Sequence, residues 1–292
     1  MTDNLRGAGF MVGAMALFAL EDAAIKLLAA SVPVGQVLAM IGAGGVLIFG
    51  SVALARGLPL LSPMLFHPAI LARNAGEMFG TMGFVAALAL IPLSMATAIL
   101  QTVPLIATMG AALFLAEKVG WRRWSAIGVG FLGMLVIVRP GGADFDPNVI
   151  FAMLGVLGLA LRDVATRRVP MTVGWPQLAT WGFAATIPAG LVLLSFTGSP
   201  VRPSAADWLL LSGGLALGLA AYFCLISANR IGEVSFIAPF RYSRIVFGLG
   251  AGMAIFGERL DGWMLAGAAL IAAAGLYTFF RERTLSMSGR SR

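Results

Sequence analysis

Long apolar stretches separated by short polar punctuation set the pattern of the chain. Ten of them, at 7–30, 33–55, 68–90, 93–115, 121–138, 148–168, 175–197, 205–229, 233–256 and 262–280, come close to the roughly 20 residues that a helix needs to cross a bilayer. Between them stand segments such as SVP, GLPLLSPMLFHP, AEKVGW, RPGGADFDP and GERLDG, rich in Pro, Gly or charge. Period-two alternation is missing and the runs are too long for strands, so helices are predicted. The pattern predicts an all-α integral membrane protein with ten transmembrane helices. Short tails at 1–6 and 282–292 and a linker at 141–147 complete it, with no stretch that fits a water-soluble domain.

Composition sharpens this. Of 292 residues, 59% are apolar and 11% charged, against roughly 25% charged in an ordinary globular domain. The net charge of +7 does not read as a nucleic-acid surface, because the basic residues sit between apolar runs. With the N-terminus in the cytoplasm, the inner segments hold Arg6, Arg56, Lys118, Arg122, Arg123, Arg167, Arg168, Arg230, Arg281, Arg283, Arg290 and Arg292. The outer ones hold only Lys26, Arg139, Arg202 and Arg259, so both termini are expected inside. The first stretch is read as an uncleaved span, since Glu21, Asp22 and Lys26 would interrupt a secretory signal. The one cysteine, Cys224, and the one histidine, His67, exclude an intramolecular disulfide and a multi-histidine cluster. The GLGAG at 248–252 lies inside a span with no strand before it, so it is no nucleotide loop. No enzyme, catalytic residue, metal or cofactor is expected.

The chain also repeats itself. At a constant offset of 141, Asp22 falls on Asp163, Lys26 on Arg167, Gln36 on Gln177, Ser94 on Ser235, and Glu117-Lys118 on Glu258-Arg259. Two five-span halves follow, 7–140 and 148–281. Five is odd, so the second half enters the membrane with opposite polarity. Such inverted repeats recur in secondary transporters, where two halves exchange conformations around one central site.

The ends of the halves carry a resemblance. FLAEKVGWRRWSAIGVGFLGMLVIV (114–138) and IFGERLDGWMLAGAALIAAAGLYTF (255–279) both end an apolar helix at Glu plus a basic residue, then restart as a Gly- and Ala-rich helix. The first copy has Ala116 where the second has Gly257. With the five-plus-five plan, the chain resembles the EamA family of the drug/metabolite transporter superfamily. Within it the chain is most similar to bacterial exporters of amino acids, aromatic ones included. The resemblance implies spans 5 and 10 as scaffold, and Gly128, Gly130, Gly133, Gly267 and Gly275 are expected to allow close helix contacts.

Charges inside spans mark candidate chemistry, because each costs roughly 2.5–3.5 kcal/mol at the bilayer centre. Asp22 and Lys26, and Arg73 and Glu77, are four apart and share helix faces. They are expected either to pair locally or to line or gate a path, together with Glu21, Arg162 and Asp163. Arg241 and Arg244 have no acid in their own span. Glu77 is their expected partner, and a substrate carboxylate the alternative. Gln101, Tyr222 and Tyr242 complete the cavity candidates. Trp175 is read as an interfacial anchor, like Trp121, Trp124, Trp208 and Trp263.

These features predict a secondary or facilitative transporter of the bacterial inner membrane. It would export small metabolites, most simply amino acids, by alternating access. A drug or nucleobase exporter is the alternative. A channel, a membrane enzyme or a scaffold fits less well. The expected partners are a small-molecule substrate and lipid, with no nucleic acid, and the chain is expected to act as a monomer, with a dimer as the alternative.

Overall fold

The computed structural model describes residues 2–115, 120–142 and 145–289, with side chains for all of these except Thr2, Val234, Ser235 and residues 279–289. Ala116, Glu117 and Lys118 of the repeated motif, and the tail arginines Arg290 and Arg292, lie outside the described residues. So do the side chains of Ser235, Arg281 and Arg283.

Twelve helices follow in order among the described residues: α1 (Thr2–Leu28), α2 (Val34–Ala55), α3 (Pro68–Leu90), α4 (Leu93–Leu100), α5 (Val103–Phe114), α6 (Trp121–Val138), α7 (Val149–Thr166), α8 (Trp175–Thr197), α9 (Ala205–Ile231), α10 (Val234–Ile237), α11 (Ser243–Phe256) and α12 (Gly262–Gly289). Each predicted span coincides with one of them or with a broken set, and the fold is an all-α membrane bundle. Seven helical stretches are long and apolar enough to cross a bilayer. Helix α3 is not among them; it carries Arg73 and Glu77. Helix α12 is apolar only over Gly262–Thr278.

Two predicted spans are interrupted. The stretch 93–115 breaks at Gln101-Thr102, between α4 and α5, and 233–256 breaks at a 3-10 turn, Ala238–Tyr242, between α10 and α11. A proline stands at each break, Pro104 and Pro239. Proline lacks the amide that would bond one turn back, and its ring crowds that carbonyl, so the ladder opens there.

Helix α1 packs along α9, α2 along α8, α3 along α7, and α6 against α12, while α4 lies against α11 in the middle. Every residue of α4 except Met95 is buried. It shares a core with Leu88, Ile137, Ile245, Leu249 and Ile271. Leu47, Leu132, Leu209, Phe223 and Val246 point outward. That much exposed apolar surface suits lipid, not water.

Glycines set the closest approach. In α3, Gly76, Gly80 and Gly83 face Gly155, Gly158 and the backbone of α7. A Cβ on Gly76 would stand 2.5 Å from the Arg162 amide nitrogen, and one on Gly158 would stand 2.5 Å from Gly80 Cα. Helix α6 meets α12 the same way at Gly133 and Gly267, whereas Gly130 receives Leu105 and Gly275 receives Tyr242. Gly128 meets nothing within 4 Å and makes no close contact. Gly158→Leu is therefore expected to pry α3 from α7 and lower stability by about 1–3 kcal/mol. Thermal unfolding in detergent would show it, with the exposed Gly9→Leu, which meets open space, as the control.

Candidate substrate site

The near end of the bundle is taken as the end where α1 starts, and the far end as the end where it stops. Glu77 of α3 lies toward the near half. Its carboxylate takes Arg73 at 3.0 Å, one turn earlier on the same helix, and Arg162 of α7 at 3.4 Å. Arg162 also holds Asp163 at 2.9 Å. Arg73 further donates to the Leu178 carbonyl of α8 at 2.9 Å. The expected local pair Arg73–Glu77 thus exists, inside a wider network. The glycine contact of α3 with α7 brings Arg162 within reach of Glu77. Glu77 is not the partner of the 241/244 arginines, because these two guanidinia have it surrounded.

Arg244 of α11 instead bonds Asp22 of α1 at 2.7 Å, and the Phe18 ring lies 5.1 Å from its guanidinium. Asp22 is 3% exposed, so this is a buried pair across helices. The expected Asp22–Lys26 pair does not form. Lys26 donates to the carbonyls of Leu88 at 2.7 Å and Ile91 at 2.6 Å. Those carbonyls lack amide partners at the end of α3, where Pro92 cannot donate to Leu88. A lysine within reach of two orphan acceptors takes them in preference to a carboxylate turned toward α11.

The far end is fastened by similar means. Glu258 accepts from the amides of Leu93 at 2.5 Å and Ser94 at 2.9 Å, capping α4. A carboxylate at a helix start satisfies free amides and meets the positive end of the dipole. Ser31 bonds Asp207, which also caps α9 through Ser204. Asp261, in the turn before α12, accepts from the Met264 amide and pairs with Arg139, and these bonds hold its carboxyl below the usual range.

The two helix breaks meet. Gln101, 9% exposed, donates its side-chain amide to the Arg241 carbonyl at 3.0 Å. The Arg241 residue itself is exposed. Tyr242 closes the 3-10 turn against Gly275 of α12. Glu21 is partly buried and makes no hydrogen bond or ion pair among the described residues; its carboxylate lies against Gly218 of α9.

A group of aromatic rings adjoins the ion network. Phe49 of α2 stacks on Phe183 of α8, with centroids 5.5 Å apart, and meets Trp175 at 6.2 Å and Tyr222 of α9 at 5.9 Å. Trp175 lies 5.7 Å from Tyr222, and Arg56 covers it at 5.0 Å. Next to Phe183, Gly182 abuts Arg73 and Glu77. Trp175 therefore belongs to this group and is no mere interfacial anchor. Nothing along the chain set Phe49 and Phe183 apart from the other phenylalanines, 19 in all. Trp181, buried, donates to the Leu60 carbonyl at 2.7 Å and Gln177 to that of Pro59, so the 57–62 loop is tied to α8.

Aromatic faces beside fixed guanidinium and carboxylate groups can hold a planar ring by stacking and a polar or charged group by hydrogen bonds. Among the described residues, two buried donors have no hydrogen-bond partner, Nε of Arg73 and Nε of Arg244.

Known proteins resemble this chain in sequence and fold. Residues 5–139 match the model of the EamA-like transporter family. The S-adenosylmethionine uptake transporter of Rickettsia prowazekii (strain Madrid E) is 28% identical over 212 residues, 73% of this chain and 71% of that one. The riboflavin transporter of Rhizobium johnstonii is 29% identical over 203 residues, 70% and 67% of the two chains. The pseudopaline exporter CntI of Pseudomonas aeruginosa is 26% identical over 94% of this chain and 96% of its own. A crystal structure covering 97% of the chain superposes with a TM-score of 0.60 at 19% identity, which speaks for the fold alone. The chain is accordingly a multi-pass membrane protein, a small-molecule transporter and no enzyme, and its residues 5–139 match the EamA-like transporter family.

Proposed function

We propose that the chain is an alternating-access carrier for small metabolites that combine a planar aromatic or heteroaromatic ring with a polar or carboxylate-bearing group. The observation that carries this is the juxtaposition of Phe49, Trp175, Phe183 and Tyr222 with Arg73, Glu77 and Arg162. S-adenosylmethionine has a purine and an amino-acid group, riboflavin a flavin ring and a polyol, and aromatic amino acids fit the same description. Amino-acid export is thus one case of the reading. The similar proteins include uptake transporters and an exporter, so the driving gradient sets the direction.

Alternating access draws support from the packing. Under the offset of 141, α1, α2 and α3 correspond to α7, α8 and α9, and the broken pair α4–α5 to α10–α11. The contact of α3 with α7 then corresponds to that of α9 with α1, and both are extensive. The contact of α3 with α8 corresponds to that of α9 with α2, and these differ: the first is close and the second loose. Two copies of one contact in different states are what a rocking carrier needs. Ten spans with both ends in the cytoplasm of an inner membrane, acting as a monomer, go with this reading.

The test is uptake into liposomes holding the purified protein, against empty liposomes, with labelled S-adenosylmethionine, riboflavin and aromatic amino acids. Saturable uptake with mutual competition is expected. Trp175→Ala should weaken apparent affinity by roughly five- to tenfold, about the 1–1.5 kcal/mol of one aromatic contact. Uptake of none of these by folded protein, or unchanged affinity in Trp175→Ala, would sink the substrate class.

A further inference from the structure

We infer that Glu21 is a proton-binding site, occupied in this conformation and emptied when α1 shifts against α9, so that transport carries a proton. The coupling part rests on the carrier reading above.

Every other acid of known surroundings in the interior has compensation. Glu77 has two arginines, Asp163 has Arg162, and Asp22 has Arg244. Asp207 and Glu258 have amides and hydroxyls. Glu21 has none. It lines a small cavity with Ala24, Ile25, Leu28, Ile41, Leu211 and Leu215. The cavity is about 10 Å³, room for one water at most, and such a water would find too few polar partners to stay. Helix α2, on one wall, carries no titratable residue. Helix α9 presents Gly214 and Gly218, with Tyr222 a turn further on turned to Phe49 and Trp175. On its own helix Glu21 has the like charge of Asp22, and Lys26 is occupied by carbonyls. Among the described residues the nearby cation beyond α1, Arg244, is bonded to Asp22. An ionised carboxylate without a donor in apolar surroundings costs several kcal/mol, and the neutral acid far less. The carboxyl therefore holds its proton here.

Gly218 makes the arrangement conformation-dependent. Only the lack of a side chain there lets the carboxyl lie against α9. When α1 slides along α9, the carboxyl leaves this dry wall, meets water or Arg244, and releases its proton to the side then open. Glu77, with two guanidinia around it, has no reason to bind a proton.

Difference infrared spectroscopy of the whole purified chain tests the site without any substrate. A protonated carboxyl band at neutral pH should be absent in Glu21→Gln and present in Asp261→Asn. In Gly218→Ala, which pushes the carboxyl off α9 whether or not Glu21→Gln folds well, the band at neutral pH should weaken. No such band in the wild type, or one that survives Glu21→Gln, would overturn the site. Coupling is read in liposomes with the membrane potential collapsed, using riboflavin and S-adenosylmethionine as probes. A one-unit pH gradient should raise wild-type accumulation about tenfold per proton exchanged and leave Glu21→Gln unmoved. Gradient-driven accumulation in Glu21→Gln, or wild-type transport blind to the gradient, would overturn the coupling even if the site stands. A band that vanishes in Glu21→Gln while neither probe is transported would support the site and tell against the substrate class alone.

Discussion

Glu77→Ala is expected to abolish transport and to cost about 3–5 kcal/mol of stability, the range for stripping one partner from a buried ion pair. Glu77 is the carboxylate between Arg73 and Arg162, and its side chain is 14% exposed. Without it Arg162 keeps Asp163, but Arg73 keeps only Asn74 and the Leu178 carbonyl. A guanidinium without a counter-charge then sits between α3 and α8. The double variant Arg73→Met/Glu77→Ala should recover most of the stability, because it removes the stranded charge along with its partner. It should not recover transport if the pair also holds substrate. Thermal unfolding and liposome uptake on the same preparations separate the two roles. Full transport by the double variant would reduce Glu77 to a structural counter-charge.

The second large effect is expected at Asp22 and Arg244. Each single change, Asp22→Leu or Arg244→Met, should lower stability by about 3–5 kcal/mol, since the pair is buried and spans two helices. With Asp22 gone, Arg244 keeps the face of Phe18, a contact worth about 2 kcal/mol when desolvated, less than the charge pair it loses. Asp22→Leu/Arg244→Met should be close to wild type in stability, with a coupling energy of opposite sign to the single losses. Transport is the informative readout. If this bridge forms and breaks as α1 moves against α11, the stable double variant should transport slowly. Wild-type rates in that variant would make the bridge a passive strut. Because Asp22 adjoins Glu21, the same variant should also show whether the Glu21 infrared band shifts when the neighbouring charge is gone.

Much of this molecule was legible in its sequence, for reasons of solvent. Lipid offers no hydrogen bonds, so a chain that lives in it must write long apolar helices, place its charges sparingly and mark helix ends with Pro, Gly and Trp. Those constraints are local, and they fixed the helix positions, the apolar outer surface and the short list of charged residues worth attention. The spacing of Arg73 and Glu77 predicted their pair for the same reason: four residues along a helix is a local distance. The glycines of α6 and α12 announced a close contact, and Gly133 and Gly267 make it.

What the sequence could not settle is which partner wins when several compete. Asp22 and Lys26 have the spacing of Arg73 and Glu77, yet they part. The rotation of α1 turns Asp22 to Arg244, and the proline after α3 leaves carbonyls for Lys26. Both causes lie far along the chain. The continuous spans expected at 93–115 and 233–256 are broken because proline geometry is tolerated where a distant segment supplies a bond, as Gln101 does for the Arg241 carbonyl. Phe49, Trp175, Phe183 and Tyr222 become one surface only through the packing of α2, α8 and α9. The apolar pattern alone determined a helical membrane protein and its inventory of buried charge. Tertiary packing alone decided how those charges were shared out, and so left Glu21 without a partner.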